Sequence, residues 1–295
     1  SSDVCSSDLS VIINNIEFDH ADIFENLEAI KKSFRLLVRL VPRNGIIFAN
    51  GDDPNCLDVV KDSHAPVVKV GFGPENDRRV TDIVYGDDST EFTINATRYK
   101  LPMNGDYNVR NAAMAICNAE FAGMAPAKIA DALAAFKGVA RRQDLRGEVN
   151  GVKVIDDFGH HPTAIKETTT ALKRRYLAPG GRLLTIFEPR SNTTRRKIFQ
   201  NELALALGAS EMIILAPVAD IHKIPEADRL DVPHLLEAIG TMGREVFLEA
   251  DVDHIVARAI TLVKPGDSIA VFSNGGFGGI HDKLLEALKT LAQGP

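Results

Sequence analysis

VKVIDDFGHHPTAI, residues 152–165, is the stretch on which the fold turns. Val152, Val154 and Ile155 form a short apolar run that Asp156 and Asp157 bring to an end. Gly159 then marks a turn, and Pro162 suits the first turn of a helix near 163–175. A buried strand that turns directly into a helix is the opening half of a crossover unit. The same rhythm continues downstream. RLLTIF (182–187) precedes a helical stretch near 193–207, and EMIILA (211–216), EVFLEA (245–250) and DSIAVF (267–272) each lead into another. Strands alternating with helices predict an α/β domain built on a mostly parallel, doubly wound sheet.

The segment upstream reads differently. An amphipathic helix is expected over roughly 21–40, followed by short strands with Gly/Asp turns from 45 to 101 and helices near 106–122 and 126–137. Pro126 fits a first helical turn, and Ile129, Leu133 and Phe136 fall on one helical face. Charged and glycine residues interrupt the pattern between Lys137 and Arg146, which gives domains 10–140 and 141–295. The first nine residues, SSDVCSSDL, are polar and nearly repetitive, and are expected to be a non-native or disordered tail without chemistry.

Composition narrows the classes. A chain of 295 residues with 45% hydrophobic content can bury two cores of ordinary size. No apolar run approaches a membrane span, so no membrane partner is expected. A net charge of −6 gives no reason to expect nucleic acid or an anionic surface. The three scattered cysteines, Cys5, Cys56 and Cys117, suit a reducing cytoplasm better than a disulfide framework. The N-terminus lacks a basic segment followed by an apolar one, so no signal peptide is expected.

Ligands of such sheets gather at the carboxyl ends of the strands. Adjacent strand residues point to opposite faces, so Asp156 and Asp157 cannot easily grip one ion together. His160 and His161 meet the same obstacle unless the loop bends sharply. A four-ligand metal centre is therefore disfavoured. One acid is expected to face a ligand, such as the hydroxyls of a ribose, while the other holds the turn or caps the helix. A capped loop with solvated histidines is the plainer alternative.

Six stretches occur in one order: NNIEFDHADIF (14–24), NGDYNVRNAAMAI (104–116), ARRQDLRGE (140–148), DDFGHHPTAI (156–165), FEPRSNT (187–193) and SNGGFGGIHDKLL (273–285). This series, running essentially from residue 11 to 295, resembles the Mur ligase superfamily. Those enzymes use ATP to join amino acids or peptides to a UDP-muramyl sugar. EFDHADIF, EPRSNT and SNGGFGGIH are similar to the branch that takes a murein tripeptide.

The resemblance implies a truncated central ATPase domain followed by a Rossmann-like C-terminal domain. It implies ATP and Mg2+, with His20 as the magnesium ligand, and Asn108 and Asn111 at the adenine. Asp157 would hold the ribose and His161 would position the nucleotide, while Arg142 near the phosphates and His160 would take catalytic roles. Arg190, Ser273 and Asn274 would hold the incoming peptide. The implied reaction joins L-alanyl-γ-D-glutamyl-meso-diaminopimelate to UDP-N-acetylmuramate through an acyl phosphate, in cytoplasmic cell-wall recycling.

Tyr107 and Gly159 depart from the family's usual His and Ala. No GxxGKT/S loop occurs in these residues, so the chain alone is expected not to ligate. The alternatives are a ligase that adds L-alanine or extends folate, and a non-catalytic peptide- or nucleotide-binding module. No dinucleotide glycine fingerprint follows VKVIDD, which argues against an oxidoreductase.

Overall fold

In both halves of the chain, sheets covered on both faces explain the near-continuous apolar strands. A computed structural model describes residues 9–292, and residues 1–8 of the expected tail lie outside the described residues. The chain divides into two units, one ending at Lys137 and the other beginning at Gly138.

The first unit begins with strand β1 (Ser10–Ile13), helix α1 (Leu27–Leu40), β2 (Ile46–Asn50), α2 (Pro54–Val60), β3 (Val67–Gly71) and β4 (Arg78–Arg79). The four strands pair in parallel in the order β1-β2-β3-β4. An antiparallel meander follows, β5 (Thr81–Tyr85), β6 (Thr90–Ile94) and β7 (Thr97–Leu101), and then α3 (Asp106–Phe121) and α4 (Pro126–Ala134). Alternate residues of β2 feed two cores. Ile47 and Ala49 pack with Ile30 and Val38 of α1 and Val59 of α2. Phe48 packs with Phe92 and Tyr99 of the meander and Val109 and Ile116 of α3. Two-sided burial of this kind is the rule for parallel strands.

The second unit contains β8 (Asp144–Val149), β9 (Val152–Asp157), α5 (Pro162–Tyr176), β10 (Leu183–Phe187), α6 (Gln200–Leu207) and β11 (Met212–Leu215). It continues with α7 (Val232–Thr241), β12 (Glu245–Leu248), α8 (Val252–Leu262), β13 (Ser268–Phe272) and α9 (Ile280–Ala292). The sheet runs β12-β11-β10-β13-β9-β8, parallel throughout except for the β8–β9 pair. Ile155, Phe187, Ile213 and Phe272 face a core completed by α5, α6 and α7. Val154, Ile186, Ile214 and Val271 face the core of α8 and α9. The doubly wound α/β sheet read from the alternation is present.

Because β13 feeds a helix on one face while its neighbours β9 and β10 feed helices on the other, the chain parts at the carboxyl ends of these three strands. Such switch points are where open α/β sheets bind ligands.

Four expectations need correction. The first helix starts at Leu27, not near 21, because the side chain of Asn26 accepts from Ala29 N at 3.0 Å and caps it. The helix expected near 193–207 begins at Gln200, after a 3-10 turn over Lys197–Phe199. The helix from Pro126 stops at Ala134, leaving Phe136 outside it and 41% exposed. The second unit opens with β8 rather than with VKVIDD. Asn150 and Gly151, with φ of 53° and 71°, form the tight turn of a β8–β9 hairpin.

Candidate functional site

Four elements of the second unit meet at its switch point: the end of β9, the residues just past β10, the loop after β13, and the arginine pair ahead of β8. β9 ends at Asp157, with Asp156 2% and Asp157 1% exposed. The pleat separates the two acids, and each finds different partners.

Asp157 Oδ2 accepts from Gln143 N at 2.9 Å and Oδ1 accepts from Gly159 N at 2.7 Å. It therefore holds the turn, as one acid was expected to do. Burial pushes its carboxyl above the ordinary range despite these two backbone donors and the nearby Arg142. Asp156 Oδ2 accepts from Arg141 Nε at 3.1 Å, and Oδ1 stands 3.4 Å from His281 Nε2 without hydrogen-bond alignment. Burial pushes Asp156 up, but His281 and Arg141 outweigh it and hold the carboxyl below the usual range.

Neither acid caps the helix. That place belongs to His161, whose side chain accepts from Thr163 N at 3.3 Å ahead of Pro162 at the first helical turn. Its ring meets Phe199 edge-on at 4.9 Å. His160 Nδ1 lies 3.2 Å from Phe158 O, with its ring edge-on to Phe158.

Arg141 and Arg142 diverge although adjacent. Besides Asp156, Arg141 donates through Nη2 to the carbonyls of Ser273 at 2.7 Å and Gly275 at 2.9 Å. Arg142 is 45% exposed, with Nη1 4.0 Å from Asp157 Oδ1. Both guanidinium groups lie over the Phe158 ring, at 5.1 and 5.5 Å.

Past β10, Glu188 is 9% exposed and accepts from Ser273 Oγ at 2.5 Å and from Arg190 Nη1 at 3.4 Å. Ser273 is fully buried, and its hydroxyl also accepts from Gly275 N at 3.0 Å. Of the three residues assigned to the peptide, Arg190 is exposed, Asn274 is half-buried and Ser273 is inside, fastening the loop.

The first unit carries the remaining candidates. Asn108 is 7% exposed and spends an amide proton on Asn104 O at 2.7 Å. Asn111 is exposed, and its carbonyl oxygen accepts from Asn14 Nδ2 at the end of β1. The Asn14–Asn111 pair thus brings together two of the six ordered stretches. His20 sits on a turn with φ of 53°, its side chain 68% exposed, with Nε2 4.0 Å from Asp19 Oδ2. Among the described residues no three His, Cys, Asp or Glu side chains gather as a metal group. His20 and Asp19 fall short of a protein-built magnesium site, and no step is assigned to the ion. Lys31 on α1 is held by Glu28 at 2.8 Å and Asp58 at 2.6 Å.

Arg141, Glu188, His281 and Asn14 were not singled out from sequence. Each lies inside one of the quoted motifs, so the signal was position in a motif rather than residue type. Among the described residues no helix is long and apolar enough to cross a membrane.

Comparison with known proteins agrees with this architecture. Residues 3–119 match the Mur ligase middle domain, and residues 141–275 match the Mur ligase glutamate ligase domain. The chain is 37% identical over 288 residues to the UDP-N-acetylmuramate–L-alanyl-γ-D-glutamyl-meso-2,6-diaminoheptandioate ligase of Escherichia coli, covering 96% of this chain and 60% of that protein. It is 30% identical over 286 residues to a UDP-N-acetylmuramate–L-alanine ligase of Caldanaerobacter subterraneus, covering 94% and 61%. The crystal structure of a murein peptide ligase from Psychrobacter arcticus superposes with a TM-score of 0.66 at 30% identity, covering 95% of this chain and 57% of that one. The chain thus spans about 60% of the length of the curated relatives it matches. With its middle and C-terminal domains both matched, this chain belongs to the Mur ligase family.

Proposed function

We propose that this chain supplies nucleotide- and peptide-binding parts of an ATP-dependent ligase. Its reaction joins L-alanyl-γ-D-glutamyl-meso-diaminopimelate to UDP-N-acetylmuramate by an amide bond. The carrying observation is the convergence at the ends of β9, β10 and β13, where exposed Arg190 stands over a loop pinned by Arg141 and Ser273. A half-exposed guanidinium fork suits the carboxylates of a peptide substrate.

Arg142, exposed beside Asp157, would meet the nucleotide phosphates, and Asn111 is the exposed carboxamide proposed for the adenine edge. Asp157 already accepts two backbone donors, so its share in ribose binding would use its remaining lone pairs. His160 and His161 shape the turn over which the nucleotide would lie. Magnesium would enter with the nucleotide phosphates and keep most of its waters. The sequence contains no GxxGKT/S loop, so these residues by themselves are expected to bind peptide without turnover.

A second reading, transfer of L-alanine, is favoured by the 30% identity to L-alanine ligases. Titrating the tripeptide and L-alanine separately into this chain decides between them. Tripeptide binding at least tenfold tighter than L-alanine supports the first reading, and the reverse order supports the second. Binding of neither refutes both.

A further inference from the structure

We propose that Glu188 and Gly275 are positioning residues that aim Arg190, and that through it they set the preference for a carboxylate-bearing amine. This rests on the role just given to Arg190. A Cβ placed on Gly275 would meet Arg190 at Nε 2.7 Å, Cδ 2.8 Å and Cζ 2.9 Å. The guanidinium therefore lies directly against the α-carbon of this glycine. Gly275 is not among the residues with positive φ, so the backbone does not call for glycine here. The three atoms nearest such a Cβ all belong to the arginine.

The loop cannot yield. Gly275 N donates to Ser273 Oγ at 3.0 Å, and its carbonyl accepts from Arg141 at 2.9 Å. Any side chain at 275 would thus push Arg190 away and leave the loop in place. Arg190 is half exposed and flexible, so its displacement costs the fold little.

Glu188 supplies the complementary pull. It is nearly buried, and its carboxylate faces Arg190 Nη1 at 3.4 Å while accepting the Ser273 hydroxyl. A buried carboxylate retains a nearby cation, because the cation offsets part of its desolvation. One edge of the guanidinium is then committed to Glu188 and one face to Gly275. The outer edge is left to form the paired hydrogen bonds a carboxylate accepts. Neither residue touches the incoming amine in this arrangement; both act through Arg190.

The test uses this 295-residue chain and the variants Gly275→Ala, Glu188→Gln, Arg190→Ala and Arg190→Ala/Gly275→Ala. The readouts are tripeptide dissociation constants by titration calorimetry, the Arg190 Nε–Hε resonance by NMR, and the thermal midpoint. Gly275→Ala is expected to weaken tripeptide binding about tenfold or more, consistent with loss of a charge-assisted hydrogen bond. Its midpoint is expected to stay within about 2 °C of the parent. In the Arg190→Ala background the same substitution should add nothing. Unchanged affinity in Gly275→Ala, or an equal loss with and without Arg190, overturns the proposal. If the parent chain binds neither tripeptide nor L-alanine, the functional reading falls and the resonance decides the positioning. A shift in both Gly275→Ala and Glu188→Gln upholds it, and an unmoved signal refutes it.

Discussion

Arg141 Nε donates to Asp156 Oδ2 at 3.1 Å, and its Nη2 reaches the carbonyl of Ser273, 132 residues further along the chain. One side chain therefore ties the end of β9 to the loop after β13. Removing it would leave a carboxylate, 2% exposed, to the unaligned His281 at 3.4 Å. Arg141→Ala is expected to destabilise the second unit by about 2–3 kcal/mol, the range for a lost hydrogen bond to a buried charge. Arg141→Lys should recover only part, because an ammonium cannot reproduce the planar fork. Urea unfolding monitored on the second unit measures both, and a loss in Arg141→Ala below about 0.5 kcal/mol would contradict the tie.

The pKa values of the neighbouring acids should be displaced in opposite directions. Burial raises Asp156, but His281 and Arg141 reverse this, so its folded value lies below the ordinary one near ~3.9. Its contribution to stability is present above the unfolded value and is lost as pH falls through the folded value. Asp157 is dominated by burial and lies above its unfolded value. The folded state holds that proton more tightly, so its contribution favours folding at low pH. That advantage is lost as pH rises from about 3.9 through the raised folded value. Carboxyl carbon NMR across the acid range should resolve two Asp signals on opposite sides of the ordinary value. Coincident titration would refute the separate environments.

Gly159 is fixed by the same turn. A Cβ there would lie 2.8 Å from Asp157 Oδ1 and 3.3 Å from Phe272 Cδ1. Oδ1 is the atom that accepts from Gly159 N, and neither the strand end nor the buried ring can move aside. Gly159→Ala is expected to cost about 1–3 kcal/mol through overpacking. Thermal unfolding of the single variant is the check, and a gain in stability would show that the turn relaxes freely.

Some of this architecture was written plainly in the chain. VKVIDD is the strand Val152–Asp157, and Pro162 opens the following helix, because an apolar run, a glycine turn and a first-turn proline each act locally. The strand β8 was hidden because its outward-facing residues, Arg146 and Glu148 among them, break the apolar pattern of an edge strand. The Asn150–Gly151 pair was the local signal that could have disclosed it. At the site, acids at a strand end could be placed by rule. The division of labour between Arg141 and Arg142 could not, since it depends on the Ser273 and Gly275 carbonyls that only folding brings near. Ser273 shows the reverse case: its motif points to a ligand, while the fold buries its hydroxyl against Glu188.

Arg142 should behave unlike its neighbour. It is 45% exposed, and its nearest acid atom, Asp157 Oδ1, is 4.0 Å away and already accepts from a backbone amide. A pair this open contributes little, so Arg142→Ala is expected to change unfolding stability by no more than about 0.5 kcal/mol. If Arg142 serves the nucleotide phosphates, the cost appears in catalysis instead. In a chain extended by the N-terminal part that its curated relatives carry, ADP release should then fall about a hundredfold, as when one preorganised donor to a developing charge is removed. Arg142→Lys should restore a fraction through charge alone. Parallel unfolding and ADP-release assays on Arg141→Ala and Arg142→Ala separate the two roles. A large stability loss with Arg142→Ala, or an unchanged ADP rate, would remove Arg142 from the phosphate-facing side of the turn.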